Sequence, residues 1–188
     1  MHRGRHIHRH LSWVACLVLA GSLLLAAPAQ ARTAQEIDAS VNAALDRFTK
    51  QVQGASGLLR TARGVLTFPG VIKAGIGVGG EYGEGALRVG GRSVAYYSLA
   101  SASIGFQLGA QRKDVIIVFL QEAALTKFRA SSGWQIGVDG SVVLIDVGAN
   151  AAIDTSKINE PIVGFVVGQR GLMYNLTLEG TKITKINR

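Results

Sequence analysis

Beyond residue 31 the chain has no histidine and no cysteine, since His2, His6, His8, His10 and Cys16 all lie in its first sixteen residues. Without imidazole or thiol, Ser-His and Cys-His nucleophilic catalysis, disulfides, and histidine or cysteine zinc sites are excluded for residues 32–188. Proline is also scarce, with three in 188 residues, and the aromatic share is 6%. No S-x-x-K follows residue 31, which removes the usual serine-lysine signature. Asp139, Asp146 and Asp154 lack the close spacing of a calcium loop. Glu81 and Glu84 form a close acidic pair, but three positions on a strand separate them onto opposite faces. The residues therefore point away from catalysis, and no cofactor is expected.

The first segment has the composition of a leader. Arg3, Arg5 and Arg9 precede an apolar run from Trp13 to Ala27, and Ala29-Gln30-Ala31 supplies small residues at the cleavage positions. A secretory signal peptide over residues 1–31, cut after Ala31, is expected. The run is too short for a comfortable membrane span. Cys16 sits inside the run instead of closing it, which does not suit a lipid-modified cysteine. Residues 32–188 then form a single domain, long enough for a real core. Three of the 20 basic residues leave with the leader, so 17 remain against 12 acidic, a net charge of +5 that favours anionic surfaces.

Glycine is abundant, 24 of 188 residues, and it gathers between Gly64 and Gly85. Gly75, Gly77 and Gly80 satisfy G-x-G-x-x-G, the dinucleotide fingerprint. No helical repeat follows, and no acid lies about twenty residues on to hold a ribose. Bent, close-packed strands are the expected use of these glycines.

Ahead of the glycines, Thr33 and Glu36 form a capping box, and Ile37, Val41, Leu45, Phe48 and Val52 recur at helical spacing. A helix over about 34–53 is expected, then a short one over 58–63. From Gly64 the period changes to two. A strand over 65–68 is expected to stop at Pro69-Gly70, and Gly90-Gly91 marks a hairpin. Residues 93–111 carry no charge for nineteen positions and alternate as a strand too long to stay straight, with a bend expected between Ala100 and Gly105. Residues 114–120 read as a central strand apolar on both faces. A short helix over 121–130 and strands over 134–138, 141–149, 162–167 and 172–179 complete the pattern. The class is α+β: a strongly bent, mostly antiparallel sheet or barrel-like body of about eight to ten strands, with an N-terminal amphipathic helix and one or two short helices.

Basic residues group as Arg60, Arg63 and Lys73, as Arg112 and Lys113, as Lys127 and Arg129, and as Lys182, Lys185 and Arg188. The first three groups, on one face, would suit phosphate. No aromatics interleave them, so nucleic acid is not an expected partner.

Gly64-Val-Leu-Thr-Phe-Pro, Lys73-Ala-Gly-Ile-Gly-Val-Gly-Gly-Glu-Tyr-Gly-Glu-Gly, Tyr97-Ser-Leu, Gly105-Phe-Gln-Leu-Gly-Ala-Gln, Asp114-Val-Ile-Ile-Val-Phe and Gly171-Leu-Met-Tyr-Asn-Leu-Thr-Leu-Glu-Gly occur in order. This series resembles the SYLF domain family, whose eukaryotic members include yeast actin-regulating proteins. The resemblance implies a non-enzymatic lipid-binding module, with actin association in some members, and a membrane contact by the N-terminal helix, here Ile37, Val41, Leu45 and Phe48. Head-group pairing would fall to Arg60, Arg63, Lys73, Arg112 and Lys113. For an exported, bacterial-type chain the expected partner is an anionic lipid or membrane surface of the periplasm or envelope. An envelope protein partner and, further off, a small outer-membrane barrel are the alternatives.

Overall fold

A computed structural model describes residues 31–145, 153, 158–171 and 178–188; at 76–77, 103–109 and 169–171 only the backbone is described. The first helix, α1, runs Ala34–Gln51, and its N-terminus is the capping box that the sequence carries. Thr33 N donates to Glu36 Oε2 at 2.7 Å and Glu36 N to Thr33 Oγ1 at 3.3 Å, so two of the otherwise open amides are satisfied. Ile37, Val41, Ala44 and Phe48 form its buried stripe. After α2 (Ala55–Thr61) the chain enters β1 (Gly64–Val89) and β2 (Arg92–Phe119), joined by the tight turn at Gly90-Gly91. Both glycines have positive φ, 58° and 80°, as a two-residue hairpin with right-handed strand twist requires. Helix α3 (Glu122–Ala130), β3 (Gly133–Gln135), β4 (Val143–Leu144), β5 (Ile162–Gly171) and β6 (Lys182–Ile186) follow.

β2 is the axis of the sheet. It pairs along its length with β1, while its other edge takes β6 at residues 96–100 and β5 at 111–119. β3 adds to β6 antiparallel and β4 to β5 parallel. Since each long strand serves two parts of the sheet, the body counts as an eight-stranded, mostly antiparallel, strongly curled half-barrel. Strand Asp114–Phe119 is central, as expected, lying between β1 and β5 with both faces covered.

A ribbon of this length must fold over, and glycine decides where. The register slips between Ile76/Val78 and Leu108/Ile104, which sets the bend of β2 at 104–108, at the far edge of the expected interval. Gly83 and Gly85 lie against the first half of the same strand: a Cβ at Gly83 would meet Val71 Cγ2 at 2.8 Å, and one at Gly85 would fall on the Thr67 carbonyl. Strand β1 is thus folded onto itself, and only a residue without a side chain fits at the crossing.

Pro69-Gly70 does not end the first strand, contrary to expectation. The register shifts there between Phe68 and Val71, so the pair forms a bulge that kinks the strand and lets it continue. Gly70 takes φ 64°, and its N–H donates to Asp114 Oδ1 at 2.8 Å. The strand expected over 134–138 is shorter, since residues 137–139 turn, and β6 was not expected. Most of the strand expected over 172–179, and the end of that over 141–149, lie outside the described residues.

Two apolar layers result. Inside the half-barrel, Leu66, Phe68, Leu87, Tyr97, Val115 and Ile117 pack with α3, whose Phe128 sits between Tyr97, Phe119 and Trp134 at ring distances of 5.0, 5.0 and 5.4 Å. On the outer face, α1 and α2 cover Val65, Ile116, Val118, Val163 and Phe165.

Candidate functional site

Alternate strand residues point to opposite sides, and that separates the expected basic site. Arg112 is exposed, with its guanidinium lying over Gly70, whereas its neighbour Lys113 is buried and pairs with Glu81 at 2.7 Å. Lys73 is also buried on the inner face. Arg60 and Arg63 are exposed near the end of α2. The five expected cations therefore divide among separate places instead of forming one patch. Of the expected apolar contacts, Ile37, Val41 and Phe48 are wholly buried against the sheet, with Phe48 and Phe165 rings 5.0 Å apart. They form core and offer no surface. Leu45 is half-buried.

Arg60 and Leu45 do come together. With Leu59, Ala62, Gly64, Val65, Arg88, Gly90 and Gly91 they line a recess of about 330 Å³ between the helices and the β1–β2 turn. Its floor is aliphatic and its charge comes from Arg60 and Arg88. No hydrogen bond or ion pair ties Arg60 among the described residues. Arg88 is held in place: Nη1 donates to Asn42 Oδ1 at 2.8 Å, Nη2 to the Asp38 carbonyl and Nε to Ser93 Oγ, each at 3.4 Å. A guanidinium has five N–H donors, so two remain for a ligand. Asp38 does not cancel this charge alone, for its carboxylate accepts from Ser93 Oγ at 2.6 Å and Tyr96 OH at 3.0 Å. Burial, then the hydrogen bond to Asp38, hold the Tyr96 phenol above its usual range.

A second recess, about 230 Å³, is lined by Arg47, Gln51, Arg112, Lys113, Asp114 and Gly168. Here Asp114 engages Arg47 through Nε at 3.0 Å and Nη2 at 2.7 Å, so much of the cationic character is already satisfied. The first recess combines apolar lining with unspent guanidinium donors, which is the chemistry of a phosphate attached to hydrocarbon.

Sequence reasoning missed Arg88 and Arg47. Arg88 was legible in principle: it stands two residues before Gly90, and alternation with buried Leu87 turns it toward the helices. Arg47 follows the helical stripe by one position before Phe48, a spacing that places it at the rim of α1's buried face. Glu81 and Glu84 do not converge. Glu81 faces Lys113, and Glu84 accepts from Tyr82 OH at 2.9 Å and pairs with Arg188. Among the described residues no helix is long and apolar enough to cross a membrane, and no cluster of three or more potential metal ligands occurs.

A family model described as Las17-binding protein actin regulator, Ysc84, matches residues 100–188. No curated protein matches the chain significantly. The glycine-rich segment 64–85 precedes the matched residues but forms the partner strand of β2 throughout. Residues 100–188, just under half of the chain, thus match the Ysc84 family model, which is the SYLF family that the ordered motifs resemble.

Proposed function

We propose that this protein is a non-enzymatic binding module for anionic lipid at a membrane surface, and that the recess between α1, α2 and the β1–β2 turn receives the head group. One observation carries the reading: two guanidinium groups, Arg60 and Arg88, border an aliphatic recess formed by Leu45, Leu59, Ala62 and Val65. The phosphate pairs with the arginines and the upper hydrocarbon lies on the leucines. Exposed Arg63, beside the recess in sequence, and exposed Arg112 add long-range attraction, each basic residue near an anionic surface contributing about 1 kcal/mol. The family match supports a binding role. We place the protein in a bacterial envelope, exported with cleavage of residues 1–31, on the strength of the leader's composition.

Flotation of the protein with vesicles containing a third anionic phospholipid tests this. Uptake is expected at low salt, falling several-fold between 50 and 300 mM salt as screening shortens the reach of the charges. Arg60→Glu with Arg88→Glu is expected to reduce low-salt uptake at least tenfold. Equal uptake of wild type and double variant would remove the recess from the mechanism.

A second reading, docking of an envelope protein, is favoured by exposed apolar side chains on the outer side of the bend. Ile72, Val78 and Tyr82 are each more than half exposed there. The family's description names a protein, Las17, as what its members bind. Pull-down from envelope extract lost in Val78→Glu but kept in the Arg60/Arg88 variant would favour this reading over lipid.

A further inference from the structure

The interior of the half-barrel changes character along its length. Where Phe68, Val71, Val115 and Leu99 give way to the bend, the inward positions become Lys73, Glu81, Gln111 and Lys113, all more than nine-tenths buried. The register accounts for the gathering. Lys73 stands opposite Gln111 on the ladder, and Val71 opposite Lys113, so both lysines and the amide share one face within side-chain reach. Folding of β1 over Gly83 and Gly85 delivers Glu81 onto Lys113 from across the barrel.

The cluster is unbalanced in charge and in hydrogen bonds. It holds two ammonium groups and one carboxylate. Glu81 engages Lys113 at 2.7 Å, off the hydrogen-bonding direction, so Lys113 Nζ and Glu81 Oε1 both keep unused capacity. Ser101 Oγ reaches the other oxygen, Oε2, at 3.4 Å. Lys73 meets no acid and no acceptor among the described residues, though its Nζ still touches solvent, whereas both Oε1 and Nε2 of Gln111 are sealed from solvent without a partner. Buried polar groups are nearly always satisfied, so the sealed Gln111 amide and the excess positive charge beside it call for a group of definite chemistry. That group carries one negative charge, accepts from Lys73, Lys113 and Gln111 Nε2, and donates to Gln111 Oε1 or Glu81.

We propose that the polar end of the half-barrel is a binding site for a protonated oxyanion, with phosphate or a phosphomonoester as its chemical class. Acceptors at Gln111 and Glu81 require an O–H on the ligand. Near neutral pH phosphate is part dihydrogen phosphate, a monoanion that carries O–H donors, and sulfate has none, so the site discriminates between them by leaving buried acceptors unmatched against sulfate. The site is separate from the arginine-bordered recess, and its ligand is either free phosphate or a phosphomonoester head group.

Titration calorimetry with inorganic phosphate and with sodium sulfate at matched ionic strength, on wild type, Lys73→Met and Gln111→Leu, tests the proposal. Phosphate is expected to bind wild type at least tenfold more tightly than sulfate, and each variant is expected to lose at least tenfold. Lys73→Met removes a charge that no acid among the described residues offsets and leaves a side chain of similar length, so its melting temperature without phosphate is expected to match wild type, which separates lost binding from lost fold. No heat with free phosphate, but uptake by phosphatidic acid vesicles that Lys73→Met abolishes, would assign the site to a head group and support it. Wild-type phosphate affinity in Lys73→Met, or no phosphate-dependent and no Lys73-dependent binding in either format, would overturn it. Arg60→Glu with Arg88→Glu is expected to leave the phosphate titration unchanged, so this site and the recess fail independently.

Discussion

At the scale of the residue, three phenols report on the packing. Burial is the largest cause holding Tyr82, Tyr96 and Tyr97 above the ordinary phenol value of 10.0, joined by Glu84 at Tyr82 and Asp38 at Tyr96. The folded chain keeps these protons more tightly than the unfolded one. Their contribution is complete below about pH 10 and is lost as pH rises from there through the folded values. Urea midpoints between pH 8 and 12 are expected to fall above pH 10, and Tyr97→Phe is expected to make that fall shallower. Gly85 gives a second test. An alanine there drives its methyl into the Thr67 carbonyl and the Phe68 ring, with backbone on one side and core on the other, so neither can yield. Gly85→Ala is expected to cost at least about 3 kcal/mol in denaturant unfolding, whereas Gly80→Ala, whose nearest neighbour is at 3.9 Å, is expected to stay within about 1 kcal/mol. Such positions were legible only as a glycine-rich stretch. That Gly85 and not Gly80 sits at a crossing depends on how the ribbon folds back, which local pattern does not encode.

At the scale of the element, the first helix was legible to within two residues because its signals are local: Thr33 and Glu36 fix its start, and the apolar stripe fixes its buried face. Its role was not. Amphipathic spacing says that one face avoids water, and leaves open whether protein or bilayer covers it. The sheet covers it here, so Phe48→Ala is expected to destabilise by about 3–5 kcal/mol in equilibrium unfolding and to leave vesicle affinity per folded molecule unchanged. Strand ends were less legible than helix ends. Pro69-Gly70 carries the residues of a stop, yet Asp114 accepts the Gly70 amide and Arg47 holds Asp114 from α1, so the chain kinks and goes on. The support comes from residues 44 and 23 positions away in sequence. β6 escaped notice for a related reason: Lys182, Lys185 and Arg188 look like a solvated tail, but the strand buries Ile183 while Lys182 and Lys185 stay exposed.

At the scale of the molecule, the bend was required by length, since 26 and 28 residues of extended strand far exceed a small domain. Which groups the bend would turn inward was not foreseeable. Lys73 and Lys113 read as surface charge in sequence; curling makes them interior, and leaves Arg60 with Arg88 at the outer recess. The proposed lipid function therefore rests on where the fold brings cations together with aliphatic lining, and not on net charge. Hydrogen exchange by mass spectrometry, with and without vesicles rich in anionic phospholipid, tests that location most directly. Helix α2 is only seven residues long with no side-chain cap at its start, so its amides open readily and any ligand on it will register. The expected result is slowed exchange in residues 55–63 and 88–92, absent with zwitterionic vesicles and absent in the Arg60→Glu/Arg88→Glu variant. Unchanged exchange in both segments at saturating anionic lipid, or protection confined to other parts of the chain, would contradict the assignment.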